Sequence, residues 1–151
     1  MTTIATTDKM EWIGDKFVDA KGTELTRAEA IGDYEHIMVL YTGSWCGGCT
    51  NFKNNLKDLY ANWNSKGKKL QVVVVSGDQN EDGFNLTMDA APWVAVPYDA
   101  KKERRAAIEK VIPNVAYPTP GVVRADGTVV EADAFGKVNE ESLNVWSEVK
   151  A

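Results

Sequence analysis

The fold is constrained most by two continuous apolar segments that are separated by one amphipathic segment. Residues 36–42 read HIMVLYT and residues 70–76 read LQVVVVS, and such β-branched runs are typical of strands buried on both faces. Two such strands joined by a helix imply a right-handed parallel crossover. Between them, apolar residues recur at spacings of three and four, which predicts a helix with one apolar face: Cys49, Phe52, Leu56, Leu59, Tyr60 and Trp63.

Shorter patterns on both sides of this unit predict the rest of a mixed sheet. Asp126-Gly127 indicates a tight hairpin, Asn80 is a helix cap, and Pro113 ends a helix. The predicted elements are two short strands within 12–25, helices over 80–90 and 100–112 with an irregular connector over 92–97, a hairpin of 121–123 and 128–130, and a helix over 139–150. This order predicts an α/β fold with helices on both faces of the sheet.

Length and charge limit the function classes. A chain of 151 residues suits one domain, which we expect over residues 12–151, after a flexible N-terminus of residues 1–11. The net charge of −5 argues against nucleic acid or an anionic membrane surface as a partner.

No apolar run approaches the ~20 residues that span a bilayer, and residues 1–14 contain no secretory h-region. We expect a cytoplasmic protein. The basic run over 101–105 is interpreted as a solvated helix face, with a nuclear signal as the alternative.

The chain has two cysteines, Cys46 and Cys49, in the spacing C-x-x-C. Such a pair is a redox dithiol, half of a metal site or a coincidence. Zinc needs four ligands and only His36 could add a further nitrogen or sulfur ligand, so we expect no metal. Gly47 and Gly48 place Cys46 at the start of the predicted helix, where free N–H groups favour a thiolate. Cys46 is therefore the predicted nucleophile, and the more buried Cys49 is the predicted resolving thiol.

The sequence around this pair resembles the W-C-x-x-C site of the thioredoxin superfamily. Residues 44–49 read SWCGGC, residues 93–98 read WVAVPY as in tryparedoxins and nucleoredoxins, and residues 117–119 read YPT, where the superfamily has a cis-proline. The resemblance implies a thioredoxin-like three-layer α/β/α fold with a central mixed sheet. It also implies a substrate-binding surface in which the cis Tyr117-Pro118 bond faces the cysteines: Trp45, Gly47, Gly48, Tyr117 and Pro118.

This chain also departs from the pattern of that family. The usual tryparedoxin CPPC is CGGC here, the basic residue after the second cysteine is Thr50, and the family's basic residues in the last strand region are absent. Leu40 stands where thioredoxin has a buried aspartate that handles protons. Asp78, which follows the second buried strand, is then the candidate carboxylate for proton handling, and a helix cap is its alternative role.

The resemblance implies a thiol–disulfide oxidoreductase that needs no bound cofactor. A low-molecular-weight dithiol or a flavoprotein reductase would donate electrons to it, and a peroxidase or another oxidised protein would accept them. Two alternatives stay open from the sequence. One is a redox-gated protein-binding module without turnover, and the other is a glutathione-dependent iron–sulfur cluster carrier.

Overall fold

The computed structural model describes residues 9–149, which contain one seven-stranded sheet in the order β2-β1-β5-β4-β3-β6-β7. Strands β3 and β4 are parallel, as are β4 and β5, and the other pairs are antiparallel. The strands are β1 (Lys16–Val18), β2 (Glu24–Thr26), β3 (His36–Thr42), β4 (Leu70–Ser76), β5 (Val94–Ala95), β6 (Thr119–Arg124) and β7 (Val129–Glu131).

Five α-helices and one 3-10 turn occupy the connections in this part of the chain. The 3-10 turn covers Glu11–Ile13, and the helices are α1 (Arg27–Ile31), α2 (Gly47–Trp63), α3 (Glu81–Met88), α4 (Glu103–Glu109) and α5 (Ser142–Glu148). No helix among residues 9–149 is long and apolar enough to cross a membrane.

The core lies on both faces of the sheet because β3 and β4 are buried on both sides. Along β3, Ile37, Val39 and Tyr41 pack with Ile108 of α4. The alternate residues of the same strand pack on the opposite face with α2, α3 and α5: Met38, Leu40, Leu56, Trp63, Phe84, Met88 and Trp146. This three-layer α/β/α arrangement confirms the predicted fold class, since side chains alternate between faces along a strand.

The bounds of β3 and β4 match the predicted strands, and the hairpin and the two N-terminal strands are also present. The predicted irregular connector over 92–97 contains β5, which pairs with β4 and β1. The last three helices are shorter than predicted, and α1 was not predicted although Thr26 and Glu29 form a complete capping box at its start.

The N-terminal boundary also differs from the prediction. Met10 is buried in the core, and the 3-10 turn begins at Glu11, so packing extends into the segment that the sequence placed outside the domain. Arg104 of α4 holds this turn by donating to the carbonyl oxygens of Glu11 (3.1 Å) and Trp12 (3.0 Å). The rest of the predicted flexible N-terminus, residues 1–8, lies outside the described residues.

Candidate active site

The two cysteines lie at the carboxyl end of β3, where residues 43–46 lead into α2. Cys46 is the N-cap of α2, and its Sγ accepts a hydrogen bond from the backbone N–H of Cys49 at 3.2 Å. Ser, Thr, Asp and Asn usually supply the capping acceptor. Here a sulfur takes that position, at the end of the helix where the macrodipole is positive. Cys46 Sγ therefore partners one of the free backbone N–H groups of the first turn of α2.

Cys49 lies one turn later and is only 3% exposed, whereas Cys46 is partly exposed. Burial raises the pKa of the Cys49 thiol to about 11, and a hydrogen bond with the Cys46 side chain adds to this effect. At neutral pH the thiolate fraction of such a thiol is about 10⁻⁴. The two thiols therefore differ in access, and Cys49 is held as the neutral thiol.

The loop before β6 faces the cysteines. The Tyr117-Pro118 peptide bond is cis, which confirms that prediction, and Cys46 Sγ lies 3.5 Å from the carbonyl oxygen of Tyr117. The residue before the proline makes this contact, and Pro118 itself does not. The structure thus brings together the C-x-x-C segment and the Y-P-T segment, which are 71 residues apart in the chain.

Two aromatic rings pack together beside the loop that carries Cys46. Trp45 is 59% exposed, and its ring packs edge-on against Tyr117 with a centroid separation of 4.9 Å. A Cβ at Gly43 would lie 2.6 Å from the Trp45 ring nitrogen, and one at Gly77 would lie 2.6 Å from the Tyr117 ring. Glycine at both positions therefore leaves room for the rings to lie against backbone.

Gly47 and Gly48 form the exposed first turn of α2. A Cβ built at either position meets no described atom within 4 Å. The backbone on this side of Cys46 is therefore open, as a surface for an approaching client chain would have to be.

Asp78 is 2% exposed, and both of its carboxylate oxygens are occupied. Oδ1 accepts from the backbone N–H (2.9 Å) and hydroxyl (2.7 Å) of Ser44, and Oδ2 accepts from the hydroxyls of Ser76 and Thr87, each at 2.6 Å. Burial by itself would raise the pKa of this carboxyl, but the hydrogen bonds from the two serines and the threonine outweigh burial and hold the pKa below its ordinary value. A saturated, ionised carboxylate of this kind favours anchoring of the loop before Trp45 over the proton handling that the sequence suggested.

A cavity of about 350 Å³ lies beside Cys49, between α2 and the carboxyl end of α3. Leu40 and Thr42 contribute to its wall, so the position at which thioredoxin has an aspartate carries no proton acceptor here. Lys53 lines the same cavity and donates to the carbonyl oxygens of Thr87 (3.0 Å) and Asp89 (2.6 Å), which stabilises the end of α3.

Arg105 is the site residue that the sequence analysis missed. Its side chain is 15% exposed and points to Tyr117 rather than into solvent, so the predicted solvated face over 101–105 is wrong at this position. The available signal was helical spacing. Arg105 precedes the buried Ile108 and Ile112 by three and seven residues, which places it on the buried face of α4.

Among residues 9–149, no three side chains of the metal-binding types His, Cys, Asp and Glu lie together. His36 is at the opposite end of β3 from the cysteines, because it is the first residue of that strand and Thr42 is the last. The structure therefore does not bring His36 to the Cys46 and Cys49 sulfurs.

Comparison with known proteins gives consistent matches. A family model described as thioredoxin-like matches residues 33–129. Bovine nucleoredoxin is 28% identical over 120 residues, which cover 80% of this chain and 27% of the relative, so the chain spans about a quarter of that protein. Tryparedoxin from Trypanosoma brucei brucei is 26% identical over 123 residues, 81% of this chain and 83% of the relative. The crystal structure of tryparedoxin I from Crithidia fasciculata matches with a TM-score of 0.72 at 26% identity, covering 86% of this chain and 89% of that one.

Proposed function

The chain belongs to the thioredoxin-like family, and we propose that it is a thiol–disulfide oxidoreductase that reduces protein disulfides through Cys46 and Cys49. Its nucleoredoxin and tryparedoxin relatives support a redox function. The observation that carries the specific proposal is the pairing of a partly exposed, helix-capping Cys46 with a buried Cys49 one turn away.

The proposed reaction has two exchange steps. The Cys46 thiolate attacks one sulfur of the client disulfide, which forms a Cys46–client disulfide and releases the other client sulfur as a thiolate that takes up a proton. Cys49 then loses its proton and attacks Cys46 Sγ, which forms the Cys46–Cys49 disulfide and releases the second client thiol. Two electrons pass to the client, and a donor dithiol must return two electrons to the protein.

The surface beside Cys46 suits an extended client segment. Trp45 and Tyr117 supply apolar walls, Gly47 and Gly48 leave the helix start open, and the cis peptide presents backbone at the sulfur. We propose that the electron donor is a low-molecular-weight dithiol or a flavoprotein reductase, and that a peroxidase or another oxidised protein is the acceptor. We place this exchange in the cytoplasm or nucleus, where thiols are kept reduced.

The test is turnover of a protein disulfide combined with trapping. The wild-type protein should catalyse insulin reduction by dithiothreitol, Cys46→Ser should abolish this activity, and Cys49→Ser should accumulate a stable mixed disulfide with clients. Client capture by the wild type without any catalysis would contradict the proposal and favour a redox-gated binding module. Brown colour with visible absorbance after anaerobic purification would instead favour a cluster carrier.

The assignment of the two thiols has its own test. Iodoacetamide at pH 7 should label Cys46 at least about a hundredfold faster than Cys49, because the buried thiol carries so little thiolate. Mass spectrometry of short labelling times measures the two rates. Equal rates, or faster labelling of Cys49, would reverse the assignment of nucleophile and resolving thiol.

A further inference from the structure

Arg105 connects α4 to the active-site surface. Its Nη2 donates to the hydroxyl oxygen of Tyr117, its Nη1 donates to the carbonyl oxygen of Ser76 at 3.3 Å, and its Nε donates to Glu109 Oε1 at 3.1 Å. The guanidinium carbon also lies 5.8 Å from the ring centroid of Tyr41. One largely buried guanidinium therefore joins a helix, the end of β4 and the loop of the cis-proline.

Tyr117 stands between Arg105 and the reactive sulfur. Its hydroxyl meets Arg105, its ring packs on Trp45 and on the backbone at Gly77, and its carbonyl oxygen lies 3.5 Å from Cys46 Sγ. A tyrosine ring on a surface loop can turn about two side-chain torsions. Because Arg105 holds the far end of this ring, the ring keeps the orientation in which it packs edge-on against Trp45, the neighbour of Cys46 in the chain.

We propose that Arg105 is a positioning residue which, through the Tyr117 hydroxyl, fixes the aromatic wall that a protein client binds against. This inference rests on the proposed reductase function. A wall that is ordered before the client arrives spares the client the entropy loss of ordering it. Arg105 should therefore act on client affinity and leave the chemistry of Cys46 itself unchanged.

The planar shape of arginine suits this position. The Arg105 side chain serves three acceptors at once, and an ammonium group on a lysine stem presents no such fixed fork.

The same geometry indicates which client segment binds against the wall. The exposed Trp45 and the fixed Tyr117 ring are apolar, so the preferred client is an extended protein segment with an apolar side chain next to its disulfide cysteine.

The experiment compares a protein disulfide with a small one. In Arg105→Met, KM for insulin should rise about tenfold, equivalent to about 1.4 kcal/mol, while kcat stays within twofold. The rate with hydroxyethyl disulfide, which is too small to reach along the wall, should stay unchanged. Tyr117→Phe removes only the hydroxyl and should raise KM by the same factor. The double variant should have no higher KM for insulin than either single variant, since the Arg105–Tyr117 hydrogen bond that each change removes can be lost only once.

Two further variants complete the design. Arg105→Lys should recover less than half of the affinity for insulin that Arg105→Met loses. If Arg105→Met does not fold, Tyr117→Phe still tests the proposal. Arg104→Met is the matched control. It removes the bonds to the carbonyls of Glu11 and Trp12, so it should lower Tm and leave KM for insulin unchanged.

The outcomes separate the inference from the proposed function. A wild type that reduces neither disulfide overturns both. An active wild type whose KM is unaffected by Tyr117→Phe, or whose single-variant effects multiply in the double variant, overturns the role of Arg105 alone. Equal losses with insulin and with hydroxyethyl disulfide would also overturn it, because they would place the effect on Cys46 rather than on the wall.

Discussion

Asp78 and His36, two buried ionisable residues at opposite ends of the central strands β3 and β4, differ in how they are hydrogen-bonded. At the carboxyl end, the buried Asp78 carboxylate accepts four hydrogen bonds, two of them from Ser44 in the loop that leads to the cysteines. At the amino end, Nε2 of the buried His36 and the indole nitrogen of the buried Trp63 have no hydrogen-bond partner among residues 9–149. Helix α2 starts at the first end and finishes at the second.

This difference shows what each end contributes. A buried polar group is unfavourable unless it is paired, and a paired group fixes the geometry of its partners. At the carboxyl end, pairing fixes the loop that carries Trp45 and Cys46. At the amino end, apolar packing places the rings, for example Trp63 against Trp146 at 5.9 Å. We therefore expect the protein to lose stability when the Asp78 carboxylate is removed, and to tolerate the removal of the His36 ring nitrogens.

The largest expected effect is that of Asp78→Ala. Removing the carboxylate leaves the hydroxyls of Ser44, Ser76 and Thr87 without their acceptor, and should lower the free energy of unfolding by about 3 kcal/mol. Urea unfolding at pH 7 measures this change. Asp78→Asn keeps an acceptor oxygen and should lose less.

The effect of Asp78 should also depend on pH with a defined sign. The pKa of the carboxyl in the folded protein is below its ordinary value of 3.8, so its ionisation stabilises the fold above about pH 4. This contribution is lost as the pH falls through the folded-state pKa. The difference between wild type and Asp78→Asn should therefore shrink under acid conditions. A difference that grew in acid would contradict the assignment of an ionised Asp78.

A smaller effect is expected at the amino end, from His36, the only histidine of the chain. Burial lowers its pKa below the ordinary value of 6.5, so the unfolded chain binds a proton that the folded protein does not. Stability is present above about pH 6.5 and falls as the pH drops below it. One proton gives a slope of at most about 1.4 kcal/mol per pH unit.

The variant His36→Leu should remove this slope between pH 7 and pH 5. It should cost at most about 1 kcal/mol of stability at pH 8, because Nε2 has no partner to lose within residues 9–149 and the ring loses only its interactions with the backbone of Trp146 and Lys69. Urea unfolding across this pH range measures both quantities. If the slope persists in His36→Leu, or if stability at pH 8 falls by several kcal/mol, the contrast between the two ends does not hold.

The smallest expected effect on stability is that of proline at Gly47 and Gly48, in the loop at the carboxyl end. Both residues lie in the first turn of α2, and a Cβ at either meets no described atom within 4 Å. Proline suits this part of a helix, and each substitution should stabilise the protein by about 0.4–1 kcal/mol through the unfolded state. A glutathione titration should show a shifted reduction potential. An unchanged potential would show that rigidity of this loop does not tune the dithiol.

Much of the site was visible in the sequence because it rests on local rules. Strands β3 and β4 were predicted with their observed bounds, since continuous apolar runs require burial on both faces. The position of Cys46 at the start of a helix followed from the helical period that begins there. Helix α1 could also have been found, because Thr26 and Glu29 have the spacing of a capping box.

Other features had no sufficient local signal. The two residues of β5 are a strand only because β4 and β1 lie on either side of them. Asp78 had two open roles in the sequence. These roles were proton handling and a helix cap, but Asn80 caps α3. Three hydroxyls from residues 44, 76 and 87 converge on Asp78 only in the folded chain, which favours anchoring, a role that the sequence did not suggest.

The sequence by itself determined the layered α/β fold and the dithiol, because periodicity and spacing act over a few residues, and it indicated the proline loop through the family resemblance of residues 117–119. The tertiary structure alone decided the surroundings of the dithiol. It set Tyr117 against Cys46 and Arg105 against Tyr117, and it buried Cys49 deeply enough to raise its pKa. The physical reason is that desolvation and hydrogen bonds between distant segments depend on distances in space, and such distances cannot be read from the spacing of residues along the chain.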